Sequence, residues 1–394
     1  MISNLTHTKH TPIFAKQPSL KVIGLGGGGC NAINRMMELG IPGVDFIGAN
    51  TDHQALVNCH APTQIQLGPK STRGLGSGGN PKVGEAAAEE SAREIAQALD
   101  GADMVFIAAG MGGGTGTGSS HVVAKIARAL GAVTVSVVST PFAFEMGKRQ
   151  RNSAEGILKL RQYSDTLICV PNDKLLQVAP PDLPMEMAFR LADDVLRQGV
   201  QGIAELITMP GLVNIDFAHI RNIMLMGGGA LLSMGQGEGQ NKARKAIDQA
   251  IHHPLMDEVD LASAKGIIAN FTCGPDMNFQ EVTEAMGYLQ EMTGNQAEII
   301  PGFITDDRFF DRTEVILVIT GLGGTAVDET IFSSSRAQAV APIPEMPVEP
   351  QTIIISEDNA GIGQRFLSPD LPSNVDLPAF LRRRKENGAA NRGG

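Results

Sequence analysis

A glycine-rich run from residue 110 to residue 118 is the feature that most constrains the fold of this chain. Six of these nine residues are glycine, and the run follows an apolar, strand-like segment at residues 103–109. A helical pattern begins after it, near Ser119. Glycines at this density let the backbone turn several N–H groups inward, and the helix N-terminus adds a partial positive charge. The run therefore predicts a cradle for a di- or triphosphate, because a merely flexible loop would not separate a buried strand from a helix.

A second glycine segment occupies residues 26–29. It follows strand-like residues 21–25 and precedes residues 30–39, whose apolar side chains have helical spacing. The same strand, glycine turn and helix thus occur twice. Two phosphate turns that converge on one crevice predict a single nucleotide held from two sides.

The first turn also permits a different interpretation. Gly24, Gly26 and Gly29 satisfy the G-x-G-x-x-G pattern, and either Asp45 or Asp52 lies at a suitable distance beyond it. This pattern alone would indicate a nicotinamide-dependent oxidoreductase. A dinucleotide site does not require a second, longer glycine cradle after a later strand. The second cradle thus favours a single nucleotide, and a nicotinamide-dependent oxidoreductase is the alternative from a different functional class.

The order of strand and helix patterns predicts the fold class. Short apolar runs alternate with helical segments, one of them at residues 81–99, over residues 20–183, which predicts an α/β domain with a doubly wound parallel sheet. Residues 184–210 carry a long helical pattern, interpreted as a central helix between two domains. Strand-like runs at 221–226, 265–272, 298–305 and 314–320 enclose helical patterns at 241–251 and 278–292. These predict a second, smaller α/β domain over residues 211–326.

The two ends of the chain have a different composition. Residues 1–19 are polar, without the apolar core of a signal peptide, and are expected to form a flexible arm. Residues 327–373 are rich in serine, proline and acidic residues, so we expect a disordered linker there. Residues 374–394 are expected to form a terminal peptide and tail.

Charge and cysteine content limit the class of protein further. The net charge of −10 argues against a nucleic-acid surface. The four cysteines lie far apart and lack metal-ligand spacing, so we expect neither a metal site nor a disulfide framework. No apolar run approaches the length of a membrane span. These features lead us to expect a cytoplasmic protein without membrane insertion.

Several motifs in order along the chain resemble one family. They are KVIGLGGGGCNA from residue 21, ANTDHQAL from 49, GGGTGTG from 112, TPFAFE from 140, PNDKLL from 171, GVQGIAELITMPGLVNIDFA from 199 and DLPAFLRR from 376. Together they resemble the FtsZ family of bacterial division proteins, within the tubulin superfamily. The resemblance covers residues 21–324 and the C-terminal peptide.

The resemblance implies a GTPase that assembles into head-to-tail filaments and builds the division ring. It implies that GTP or GDP binds with Mg²⁺, the ion being held mainly by the phosphates. Asp193 matches the residue that recognises guanine, because the N1–H and the 2-amino group of guanine can both donate to a carboxylate. Glu145 and Arg149 match residues that contact the ribose and the edge of the nucleotide. The other implied nucleotide contacts are Gly27, Gly28, Gly29, Cys30, Asn31, Gly113, Gly114, Thr115, Gly116 and Phe189. The alternative without a ligand is that Asp193 is a solvated carboxylate on a helix, and that Glu145 and Arg149 form a surface ion pair.

The same resemblance implies catalytic residues supplied to the next subunit. Asn214, Asp216 and His219 match the loop that enters a neighbour's nucleotide pocket and orients water. The family carries carboxylates at the positions of both Asp216 and His219, so this chain departs at the second. A slowly hydrolysing paralogue that co-polymerises is therefore an alternative function.

The C-terminal peptide is implied to bind membrane-tethering and regulatory division proteins. Its matching residues are Asp376, Leu377, Pro378, Phe380 and Leu381, followed by a basic cluster. The plainer interpretation is a disordered basic tail. The expected location is the midcell division ring beneath the inner membrane, and the extension at residues 385–394 has no interpretable pattern.

Overall fold

The computed structural model of the chain describes residues 17–145, 147–209, 216–227, 229–256 and 259–322. The strands in this part are β1 (Leu20–Leu25), β2 (Val44–Asn50), β3 (Thr63–Gln66), β4 (Met104–Gly110), β5 (Val133–Thr140), β6 (Thr166–Pro171), β7 (Gly229–Glu238), β8 (Gly266–Cys273), β9 (Glu298–Thr305) and β10 (Arg312–Thr320). They form a sheet in the order β3-β2-β1-β4-β5-β6-β7-β10-β8-β9.

Helices flank this sheet. They are α1 (Gly26–Leu39), α2 (His53–Val57), α3 (Pro81–Glu90), α4 (Ala92–Leu99), α5 (Thr115–Ala129), α6 (Gly147–Arg161), α7 (Asn172–Leu175), α8 (Met185–Thr208), α9 (Phe217–Leu225), α10 (Lys242–Ile251) and α11 (Phe279–Met292). None of the helices in the described residues combines the length and apolar character that crossing a bilayer requires.

The first half of the sheet, from β3 to β6, is entirely parallel. Successive side chains along its strands point to opposite faces and pack into two different apolar cores. Val22 and Phe106 are buried in the core on one face, and Ile23 and Ile107 in the core on the other. Burial on both faces is what a doubly wound parallel sheet requires. The predicted fold class is confirmed.

The strand order also determines where a ligand can bind. The chain runs outward from β1 to β3 and then returns to place β4 on the other side of β1. In open α/β sheets this reversal opens a crevice at the carboxyl ends of the two strands. Both glycine segments directly follow these strands, so both lie at that crevice.

The second half of the sheet is mixed. Among the described residues, strand β7 pairs with β6 at two positions, Leu167 with Gly229 and Ile168 with Ala230. Strand β10 is antiparallel to both β7 and β8, and β9 runs parallel to β8. The predicted second α/β unit thus exists, with its own apolar cluster, and it continues the first sheet.

The 24-residue helix α8 contacts both halves. Its buried residues include Val195, Val200 and Ile203, and Gly202 approaches Ile316 of β10 closely. The sequence expectation of a central helix at residues 184–210 agrees with this element.

The prediction of a strand at residues 221–226 is wrong, because this segment belongs to helix α9. The side chain of Asp216 caps the helix by accepting a hydrogen bond from the Ala218 N–H at 3.1 Å. Ile220, Ile223 and Met224 then occur at helical spacing and are buried. The strand of this region is β7, which lies further along the chain.

The predicted single helix at residues 81–99 is two helices, α3 and α4. The break is at Ser91, whose hydroxyl accepts from the Gly68 N–H at 3.0 Å. Two further helices begin earlier than predicted, α1 at Gly26 and α5 at Thr115, so that glycines form part of their first turns.

Candidate functional site

A cavity of about 420 Å³ lies at the carboxyl ends of β1 and β4. Residues from both glycine segments, from the ends of β5 and β6, and from α8 line it. They are Leu25, Gly26, Gly27, Gly28, Asn31, Ser77, Gly79, Gly110, Met111, Gly113, Gly114, Thr115, Gly116, Ser139, Thr140, Pro141, Glu145, Arg149, Asn172, Phe189, Ala192 and Asp193.

Two helix N-termini face this cavity. Neither α1 nor α5 has a side-chain hydrogen bond at its N-cap, which is Leu25 in one helix and Gly114 in the other. Their first N–H groups therefore remain available, and the two helix dipoles add partial positive charge. A Cβ atom added at Gly27 or at Gly113 would meet no atom within 4 Å, so there is open space beside both turns. This end of the cavity can bind phosphate groups through backbone amides.

The two glycine segments also contact each other. Gly26 has φ +69°, and a Cβ atom there would lie 2.9 Å from the Gly116 nitrogen. Gly112 has φ +98°, and a Cβ atom there would lie 2.9 Å from the Arg149 carbonyl oxygen. The conformation and the spacing both require glycine at these two positions. The prediction that two turns converge on one crevice is confirmed by this contact.

Three hydroxyl groups connect the cradle to neighbouring segments. Thr115 Oγ1 lies 2.6 Å from Thr51 Oγ1 and 3.1 Å from Ser77 Oγ. Thr51 directly follows β2, and Ser77 lies in the segment that precedes α3. These contacts hold the first turn of α5 against both segments.

Aromatic and charged side chains form another wall. Phe142, Phe144 and Phe189 make ring contacts with centroid distances from 5.4 to 6.2 Å. The carboxylate of Glu145 pairs with Arg149 and also accepts a hydrogen bond from the Phe142 N–H at 2.9 Å. Phe189 keeps 39% of its surface exposed, so one side of its ring remains available to a planar ligand.

The two adjacent carboxylates of α8 have different surroundings. Asp194 accepts hydrogen bonds from Arg197 at 2.7 Å and from Gln198 at 2.9 Å. Asp193 lines the cavity, and its carboxylate makes no hydrogen bond to any residue that the structure describes. Burial raises the pKa of Asp193 to about 7; the charge of Arg35 opposes this rise and that of Asp194 adds to it. Asp193 is therefore the carboxylate that is free to bind a ligand.

The structure brings most of the predicted nucleotide-binding residues together on this one cavity. Gly29 and Cys30 are the exceptions. A Cβ atom at Gly29 would lie 2.4 Å from the Ala108 carbonyl oxygen, and Cys30 is buried with its thiol beside Cys59. The Cβ position of Gly29 and the thiol of Cys30 thus face the protein interior, and contact of their backbone N–H groups with the ligand stays a prediction.

Sequence reasoning missed several lining residues, among them Ser77, Ser139, Thr140 and Asn172. The last three lie at or directly after the carboxyl ends of β5 and β6. The rule that ligands bind at this edge of a parallel sheet could have found them. Asn172 is buried, and its Oδ1 atom has no hydrogen-bond partner among the described residues.

Two of the three predicted catalytic residues lie away from this cavity. Asp216 and His219, at the start of α9, do not line the cavity, and His219 instead contacts Glu298. Asn214 lies outside the described residues, as do the predicted partner-binding residues of the C-terminal peptide. The described part of a single chain thus does not bring Asp216 and His219 to the cavity.

Comparisons with known proteins agree with this geometry. Residues 19–180 match the family model described as Tubulin/FtsZ family, GTPase domain, and residues 228–323 match FtsZ family, C-terminal domain. The chain is 41% identical to the cell division protein FtsZ of Pseudomonas aeruginosa over 388 residues, which cover 95% of this chain and 98% of the relative. It is 42% identical to that of Azotobacter vinelandii over 381 residues, covering 93% and 97%.

A solved structure supports the same assignment. A structure described as an empty FtsZ dimer from M. jannaschii has a TM-score of 0.74 and 42% identity, covering 77% of this chain and 88% of that one. These matches contradict the oxidoreductase alternative and confirm the GTPase. The chain belongs to the FtsZ family.

Proposed function

We propose that the chain is a self-assembling cytoskeletal GTPase that forms head-to-tail filaments and builds the contractile ring at the bacterial division site. One observation carries this proposal: the nucleotide cavity is formed within one chain, whereas Asp216 and His219 lie outside it. A site that needs residues from a second copy makes hydrolysis depend on assembly. Head-to-tail contacts that do not close produce filaments.

The nucleotide is proposed to lie across the cavity with its phosphates at the N-termini of α1 and α5. The guanine base then lies toward α8, where Asp193 accepts from N1–H and from the 2-amino group. Adenine cannot offer these two donors together. The Oδ1 atom of Asn172, which has no partner among the described residues, and the ring of Phe189 supply a hydrogen-bond acceptor and a stacking surface. This arrangement selects GTP and GDP over ATP.

A Mg²⁺ ion is proposed to accompany the nucleotide. The described residues include no group of three or more His, Cys, Asp and Glu side chains that could hold a metal. Mg²⁺ binds to proteins largely through waters and substrate phosphates, which fits a site of this composition. The hydroxyls of Ser77 and Thr115 would contact the ion or its waters. Its contribution would be to neutralise charge on the phosphates.

Partners and location follow from the same proposal. The bacterial relatives carry the name of cell division proteins, which supports a role at the midcell ring beneath the inner membrane. Residues 376–381 are proposed to bind membrane-tethering and regulatory proteins, and the chain itself is the partner in the filament. The M. jannaschii dimer supports self-association.

A slowly hydrolysing paralogue is the second candidate function. The observation that favours it is His219, which stands where the resemblance implies a carboxylate. Loss of a full general base reduces a rate by roughly 10²–10⁴. Such a chain would assemble with GTP and turn it over slowly.

Light scattering and phosphate release, recorded together with GTP and Mg²⁺, test both candidates. Assembly with turnover supports the assembling GTPase, and assembly with almost no turnover supports the paralogue. ATP serves as the control nucleotide and should produce neither signal. Turnover that is independent of protein concentration, without assembly, would contradict both.

A further inference from the structure

His219 has a carboxylate partner in the folded chain. Its Nε2 atom contacts Oε1 of Glu298, the first residue of β9. The two residues are 79 positions apart in the sequence, so the tertiary fold brings them together. Asp216 lies three residues before His219, at the N-cap of the same helix.

This contact determines what the imidazole can do. A carboxylate that accepts a hydrogen bond from Nε2–H leaves the lone pair on Nδ1, so Nδ1 can accept a proton. The pair of neutral histidine and ionised glutamate carries a net charge of −1. That is the charge of the single carboxylate which the resemblance implies at residue 219.

We propose that Glu298 is a positioning residue for GTP hydrolysis, acting through His219. The inference rests on the proposed function, in which α9 of one subunit faces the nucleotide of the next. Water bonds to the γ-phosphorus through its oxygen, the bond to the β–γ bridging oxygen breaks, and its electron pair leaves with GDP. The proton of the water passes to Nδ1 of His219 and then to solvent. Glu298 holds the tautomer and stabilises the imidazolium that forms.

An ordinary surface ion pair is the competing interpretation. The His219 and Glu298 side chains keep 51% and 44% of their surface exposed. Exposed pairs contribute little to stability, and on this interpretation the pair has no role in GTP turnover. The two interpretations therefore differ in the effect of Glu298 on turnover within assembled filaments.

The test compares Glu298→Gln and Glu298→Ala, each alone and combined with His219→Ala, with Glu94→Gln as an exposed control on α4. Glutamine retains a hydrogen-bond acceptor and removes the charge. We expect both Glu298 variants to assemble at the wild-type critical concentration and to unfold at the wild-type temperature. Their GTP turnover per assembled subunit should fall roughly tenfold with an unchanged KM. Replacing a fully buried carboxylate that orients a catalytic histidine lowers kcat by about 10⁴. We expect a smaller decrease here because the Glu298 side chain is partly exposed.

The double variants decide whether Glu298 acts through His219. If it does, adding Glu298→Ala to His219→Ala lowers turnover no further, whereas independent effects would multiply. Wild-type turnover in Glu298→Gln and Glu298→Ala, or multiplying losses, would overturn the inference. Loss of assembly would do so as well, since Glu298 would then belong to the subunit contact. If wild-type protein neither assembles nor hydrolyses GTP, the proposed function itself has failed.

Discussion

Asp193 and Asp194 are neighbours on α8, but only Asp193 faces the nucleotide cavity. Hydrogen bonds to a charged group contribute about 1.5–3 kcal/mol each. The loss of one such bond alone weakens binding by about one to two powers of ten, so we expect Asp193→Ala to weaken GTP binding by at least that factor, measured by calorimetry below the assembly threshold. Asp194→Asn is the matched control and should change the affinity by about twofold or less. Equal affinity of the wild type for ATP and GTP would contradict the role of Asp193.

The raised pKa of Asp193 predicts a pH dependence of binding. The ionised carboxylate accepts from both guanine donors, and a pKa of about 7 leaves it largely protonated at pH 6. GTP affinity should therefore fall roughly tenfold between pH 8 and pH 6. In Asp193→Asn this dependence should disappear. A pH-independent affinity in the wild type would show that the carboxylate does not contact the base.

At the scale of elements, the contact between the cradle and α6 depends on Gly112. Alanine there would meet the Arg149 carbonyl oxygen at 2.9 Å and would need a positive φ, a conformation that costs about 1–3 kcal/mol. We expect Gly112→Ala to lower the thermal midpoint by several degrees and to weaken GTP binding. Gly147→Ala is the control, because its Cβ would meet nothing within 4 Å. Equal midpoints for the two variants would contradict this account of the cradle.

At the scale of the whole molecule, the proposed site is shared between subunits. Asp216 caps α9 and lies away from the cavity of its own chain. Asp216→Ala should therefore bind GTP normally and form filaments while turnover nearly disappears, as measured by sedimentation with phosphate release. The loss of one N-cap predicts a moderate decrease in stability, about 1 kcal/mol. Undiminished turnover would show that a different group activates the water.

The C-terminal peptide is expected to be separable from assembly. Deleting residues 376–394 should leave GTP-dependent filaments intact and abolish recruitment to division partners, because the predicted linker decouples the peptide from the domains. Light scattering and co-sedimentation with partner proteins measure the two effects. Failure of the truncated chain to assemble would place the peptide in the filament contact.

The sequence alone determined the fold class, the phosphate cradle and the family. These depend on local patterns: glycine runs after apolar strands, and strands alternating with helices. The same local reasoning failed at residues 221–226, because a short apolar run fits a strand and a helix equally well. The N-cap at Asp216 stabilises the helix there.

Only the tertiary structure decided which residues share the cavity. It brings Ser77, Thr140 and Asn172 to the edge where β1 and β4 end, and it turns Cys30 toward the sheet. It also brings His219 to Glu298. These outcomes depend on strand order and on packing between distant segments, and neither is encoded in the spacing of residues along one segment.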